Sequence, residues 1–242
     1  MITLRETTII PTALPRDQVS AERRAAMFAL LDGHFAGVTP AQFAADLAGK
    51  SHVILLEGDG RLVGFSTLLI YETFHRGEPV TVVYSGDTIV APEAWQSPVL
   101  ARAWIATVND LRREFSRGRF YWLLLTSGFR TYRFLPVFWR EFFPTFDRPT
   151  PTATQALMDQ LAREKFGDTY DPVRGVVRFP RPQCLRPALA ALPPGRESDP
   201  HVAFFLARNP GHLQGDELVC VTELTAANLT PAGRRMVARA PA

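Results

Sequence analysis

Residues 80–111 constrain the fold of this chain more than any other stretch. From Val80 to Val90 the sequence VTVVYSGDTIV is rich in β-branched and aromatic residues, the composition of a strand. Pro92 then ends sheet pairing, because proline has no N–H to give a ladder. Residues 98–115 place apolar side chains at Leu100, Ala103, Trp104, Ala106 and Leu111, the spacing of an amphipathic helix. Residues 121–125, YWLLL, form a short continuous apolar run between Gly118 and Ser127-Gly128. Such a run suits a central strand buried on both faces. Strand, turn, helix and central strand make one βαβ unit, which commits the chain to a sheet with a helix laid over it.

The flanking sequence extends that sheet. Residues 18–35 and 40–48 read as helices, the second with Thr39 as N-cap, Pro40 at its first position and Gly49 as its stop. Residues 52–57 and 61–74 read as strands joined through Gly58-Asp59-Gly60, a hairpin signal. Residues 132–143 look helical despite Pro136, and residues 152–166 form a further helix after a proline-rich shift at 149–151. Residues 175–179, 201–207 and 217–224 read as strands, and 230–242 as frayed or weakly helical. The expected division is a core over 1–150 and an extension over 151–242 that completes the same sheet. Strands 201–207 and 217–224 would supply its closing hairpin.

Composition narrows the class. The hydrophobic fraction of 46% supports a substantial core. No apolar run reaches the roughly 18 residues of a spanning helix. The N-terminus shows no basic-then-apolar leader, so the expected location is cytoplasmic. A net charge of +3 gives no electrostatic reason for a nucleic-acid partner. Of the 27 basic residues only Lys50 and Lys165 are lysines, and the arginines are scattered rather than clustered. Cys184 and Cys220 have no second Cys or His at metal-ligand spacing, so they read as free thiols and no metal is expected.

The order of elements, together with Val90-x-Pro92-Glu93, resembles the GNAT acyltransferase superfamily over residues 18–146. The resemblance implies an α/β fold: a mixed, mostly antiparallel sheet with helices on both faces. It implies acyl transfer from a thioester, acyl-CoA or a related donor, to an amine of a small molecule, with no tightly bound cofactor. In that family the turn leads into an Arg/Gln-x-x-Gly-x-Gly/Ala loop, where free N–H groups at a helix start hold a pyrophosphate. Here Val90 and the positions Gln96, Val99, Leu100 and Ala101 would supply that grip. In one register the family's first position falls on Trp95 and its glycines on Pro98 and Leu100; in the next, Gln96 leads and Val99 and Ala101 follow. The loop is therefore a degraded version of the family's. The family's tyrosine position falls on Phe138, and Tyr132 lies one to two turns earlier.

Candidate reacting groups sit on the strand before the turn. Asp87 reads as a general base, with Tyr84 and Ser85 beside it in the same expected cleft. Glu72, His75, Thr126, Ser127 and Tyr132 are the expected substrate-binding residues, Thr126 and Ser127 because they follow the central strand. Glu93 reads as a carboxylate favoured near a helix start. The aromatic segment 134–144 suits either a core helix end or a wall for an apolar ligand. A second reading of the whole chain keeps the fold without acyl-CoA chemistry: a ligand- or protein-binding module, or a different reaction in the same cleft.

Overall fold

The computed structural model describes residues 8–115 and 117–237. Its strands are β1 (Ile9–Pro15), β2 (Phe35–Ala36), β3 (His52–Gly58), β4 (Arg61–His75), β5 (Glu78–Val90), β6 (Arg119–Thr126), β7 (Tyr170–Asp171), β8 (Val176–Val177), β9 (Cys184–Leu185) and β10 (Glu217–Glu223). The α-helices are α1 (Ala21–His34), α2 (Pro40–Ala48), α3 (Val99–Glu114), α4 (Phe129–Tyr132), α5 (Phe134–Phe138), α6 (Thr152–Phe166), α7 (Pro187–Ala190), α8 (Pro200–Arg208) and α9 (Pro231–Val237).

Eight strands form one sheet in the order β1-β3-β4-β5-β6-β10-β8-β7. Every pairing in it is antiparallel except β5 with β6, the two strands that α3 connects. The sheet is thus mixed and mostly antiparallel, with helices on both faces, as the sequence resemblance implied.

Alternation along the strands sorts the core by face. Ile54, Leu68, Val83, Trp122, Leu124 and Cys220 pack under α3, joined by Tyr132, Leu135 and Phe205 from α4, α5 and α8. On the other face Val82, Tyr84, Leu123 and Val219 meet Leu157 and Leu161 of α6. Farther along that face Val53, Leu55, Phe65 and Ile89 meet Met27 and Leu31 of α1 and Phe43 and Leu47 of α2. Capping fixes where the last two helices begin. The Ser20 side chain accepts from the Arg23 N–H, and the Thr39 side chain accepts from that of Gln42, ahead of Pro40.

Three segments differ from their sequence reading. Residues 201–207 are helical, not extended: Asp199 caps the His201 N–H, Pro200 takes the first turn, and Val202 and Phe205 are buried three residues apart. A short apolar run such as HVAFFLA has no period that separates strand from helix. The partners of β10 are therefore β6 and β8. Residues 132–143 are not one helix. After α5 the chain becomes extended at Trp139 and bridges Leu229 and Val221 through Trp139 and Phe143. The aromatic segment serves mainly as core, with Leu135, Phe138, Trp139 and Phe142 all buried. Finally, β1 adds an edge strand paired along β3 that the sequence pattern did not reveal. Of the weak helix expected over 230–242, Pro231–Val237 is α9, and 238–242 lie outside the described residues.

Candidate active site

The site begins with a register slip. On β4 and β5, Ser66 faces Thr88 and Leu68 faces Ser85, so Thr67 alone opposes both Gly86 and Asp87. That is a β-bulge, which breaks alternation and re-aims a side chain. Tyr84 points toward α6 and Ser85 toward α3, as alternation requires. Gly86 then faces Lys50 and Thr67. The extra residue keeps Asp87 on that same side, where Lys50 and Asp46 at the end of α2 are its charged neighbours.

The same region is where two strands part. Parallel pairing of β5 with β6 runs from Val80–Arg119 to Ser85–Leu124 and stops. Beyond it β5 follows β4 to Val90, and β6 follows β10 to Thr126. Asp87 lies on one wall of the resulting cleft. Glu217, the first residue of β10, stands beside Leu218, which pairs with Thr126 on the other wall.

Both carboxyls are half-buried. Burial pushes the Asp87 carboxyl up to about 6, opposed by the Lys50 ammonium. It pushes Glu217 up to about 8, and the charge on Asp87 adds to the rise. At neutral pH Asp87 is mainly ionised and Glu217 mainly protonated, a division between base and acid. Tyr84 is near both: burial first, then Glu217 and Asp87, hold its phenol well above the ordinary range, so it stays neutral. Above the Tyr84 ring sit the chain's two lysines, Lys165 Nζ at 4.5 Å and Lys50 Nζ at 5.5 Å from the centroid. Burial, with Lys50 beside it, depresses the Lys165 ammonium.

Of the residues singled out from sequence, Asp87 and Tyr84 share this cleft. Ser85 does not: it is buried on the α3 face, where its Oγ accepts from Trp122 Nε1 at 2.7 Å. Glu72 and His75 lie at the opposite end of the sheet, because β4 runs away from Asp87 and their partners are Thr81 and Glu78. There Glu72 faces Arg117 at 4.0 Å, and His75 Nδ1 meets Gln160 Oε1 at 2.7 Å. Tyr132 is a core residue whose hydroxyl donates to the Pro144 carbonyl at 2.9 Å. Thr126 closes a turn, its Oγ1 bonded to both the carbonyl and the N–H of Gly128, and Ser127 is buried next to it. Sequence reasoning missed Glu217, Asp46 and the role of the two lysines. The available signal was the scarcity of lysine itself.

The loop before α3 offers an incomplete pyrophosphate grip. Pro98 is the N-cap and contributes no N–H, and Ser97 Oγ accepts from the Val99 N–H at 3.3 Å. Leu100 and Ala101 are buried in the core, Val99 is half-buried and Gln96 is exposed. The Val90 carbonyl is occupied, by Trp95 Nε1 at 2.7 Å and by the His34 ring at 3.1 Å. Arg130 lies over the Trp95 ring at 4.1 Å. With no glycine, a proline cap and the Val99 N–H turned to Ser97 Oγ, this helix end offers fewer backbone N–H groups to a pyrophosphate than the family's loop would. Glu93 pairs with Arg61 at 2.7 Å, which together with its own backbone holds its carboxyl low. Among the described residues no group of acidic, His and Cys side chains is arranged to hold a metal ion, and no helix is long and apolar enough to cross a membrane.

No protein-family model and no curated protein matches this sequence. Solved structures do. The chain is similar to a probable N-acyltransferase from Enterococcus faecalis V583 at 15% identity and a TM-score of 0.44, over 56% of this chain and 33% of that one. It is similar to an acyl-CoA N-acyltransferase from Pseudomonas aeruginosa at 16% identity and a TM-score of 0.38, over 48% and 79% of the two chains. A Trypanosoma brucei acetyltransferase is 19% identical with a TM-score of 0.38, over 60% of this chain and 98% of its own. The match thus spans a third of the length of the Enterococcus protein.

Proposed function

We propose that the chain transfers an acyl group from a thioester to the amine of a small molecule in the cleft between β5 and β6. The observation that supports this reading is the bulge at Gly86-Asp87 where the two strands separate, with Asp87 near enough to Glu217 for its charge to raise that carboxyl. Asp87, ionised near neutral pH, accepts the proton of the attacking amine. The new N–C bond forms as the C–S bond breaks. Glu217, still protonated, supplies a proton to the departing thiolate. Solvent then returns the proton to Glu217 and removes one from Asp87. General acid–base catalysis of this kind is worth roughly 10²–10⁴-fold for a positioned group.

The filled loop before α3 supports a donor recognised by its thioester rather than by a nucleotide. The test is a transfer assay by mass spectrometry with acetyl-CoA and with a short acetyl thioester that lacks the nucleotide. The reading expects the two donors to serve comparably. The same loop favours the second reading, a binding module without acyl-CoA chemistry, if neither thioester yields acylated amine with any amine tested.

A further inference from the structure

We infer that the amine accepted in this cleft also carries an anionic group, a carboxylate or a phosphate, and that Lys50 and Lys165 hold it. The inference rests on the acyl-transfer reading above for the amine end of the molecule.

The basic residues of this chain are almost all arginine, yet the fold brings both of its lysines to one tyrosine ring. Two ammonium groups so placed repel each other, and the Tyr84 face offsets only part of that cost. Among the described residues neither lysine forms an ion pair, although eleven such pairs involve arginine elsewhere. Lys50 is steadied instead through the Asp46 carbonyl at 3.1 Å. Space for it is built in: a Cβ on Gly86 would lie 2.4 Å from Lys50 Cε and 2.9 Å from its Nζ. The same Cβ would lie 2.7 Å from Thr67 Oγ1, a buried hydroxyl with no hydrogen-bond partner. A buried hydroxyl left unpaired beside two ammonium groups, whose neighbouring carboxyls Asp46 and Asp87 stay beyond ion-pair distance, is a costly arrangement unless a ligand completes it.

The polarity of the cleft gives the ligand a direction. Asp87 and Glu217 suit the amine, and Lys50, Lys165 and the Thr67 hydroxyl beside them suit an anion. An ammonium point charge on a flexible stem can follow either a planar carboxylate or a tetrahedral phosphate.

Calorimetry on the full chain tests this with four probes: β-alanine, its amide, O-phosphoethanolamine and ethanolamine. Each anionic amine is expected to bind roughly tenfold or more tightly than its neutral counterpart. The stronger of the two preferences identifies carboxylate or phosphate as the group read. Lys50→Met and Lys165→Met, with folding verified by circular dichroism, should each erase most of the preference, while Lys165→Arg should keep part of it. Equal binding of charged and neutral amines, a preference that survives both methionine variants, or no binding of any probe overturns the inference. The two readings fail separately. Acylation of neutral amines without preference removes the anion site and leaves acyl transfer standing. Lysine-dependent binding of anionic amines that no thioester acylates removes acyl transfer and leaves the anion site.

Discussion

Lys50 passes over Gly86 so closely that a single methyl group at residue 86 would overlap it, with 2.4 Å between the two carbons. Glycine is required here for space, since Gly86 is not among the residues with positive φ. Gly86→Ala should push the Lys50 ammonium off the Tyr84 ring. The Lys50 atoms are the mobile end of a side chain, but the buried Thr67 Oγ1, 2.7 Å from the added carbon, must shift as well, so the stability cost should be about 1–3 kcal/mol. Affinity for an anionic amine should fall roughly tenfold. Unchanged affinity, measured by calorimetry, would show that Lys50 does not touch the ligand.

The two carboxyls give the transfer rate a defined pH profile. The rate should rise through about pH 6 as Asp87 loses its proton and fall above about pH 8 as Glu217 loses its own. Asp87→Asn should lower kcat by roughly 10²–10⁴-fold, the worth of a general base. Glu217→Gln removes the ionisable group and should lose the alkaline limb while keeping the acid one. If the Glu217→Gln protein kept the wild-type alkaline limb, that limb would belong to another group.

Of this cleft only Asp87 and Tyr84 were legible in the chain, and what escaped did so for physical reasons. The strand–turn–helix at 80–111 reads directly because its period changes from two to 3.6 across Pro92. Asp87 could be picked out by its place three residues before Val90. The side of the sheet it faces could not, because that depends on a bulge, a property of two strands paired in register. Ser85 reads as a neighbour of Asp87 in sequence and is turned away from it by alternation. Glu217 belongs to a strand far along the chain, and only the β10–β6 pairing brings it near.

Ser85 therefore offers a sharp contrast with Asp87. Its Oγ accepts the one indole N–H of Trp122 inside the α3-side core, where Trp104 and Trp139 pack against that ring at 4.3 Å and 5.0 Å. Ser85→Ala leaves this buried donor unpaired, at a cost of about 1–3 kcal/mol. Denaturant unfolding should show that loss, and the transfer rate of the folded variant should match wild type. A large loss of kcat with stability intact would place Ser85 in the chemistry after all.

Glu217 also ties stability to pH. Its folded carboxyl is raised well above that of an unfolded glutamate, so the folded state holds the proton longer. The contribution is complete below about pH 4, the unfolded value. It is lost as pH rises through about 8. Wild type should therefore lose stability progressively between about pH 4 and pH 8 relative to Glu217→Gln, with no further loss above that. The difference should be on the order of 1–3 kcal/mol after allowance for partial exposure. Thermal midpoints of the two proteins at pH 5 and pH 9 measure it; parallel curves would mean that Glu217 is solvated normally.

The last prediction concerns the start of α3. Pro98 caps the helix without offering an N–H, whereas Leu100 points into the core and does not obstruct the helix start. The two positions that fall on family glycines should thus respond differently. Pro98→Gly returns one donor to the helix end and should tighten coenzyme A by the scale of one charge-assisted hydrogen bond, about 1–3 kcal/mol. Leu100→Gly should gain no such affinity. It removes a buried side chain and inserts a flexible backbone unit into the helix, a combined cost of about 3–6 kcal/mol. Calorimetry with coenzyme A and unfolding in urea on each single variant separate the two effects. If Pro98→Gly binds no better than wild type, the missing donor at residue 98 is not what keeps a nucleotide from this helix end.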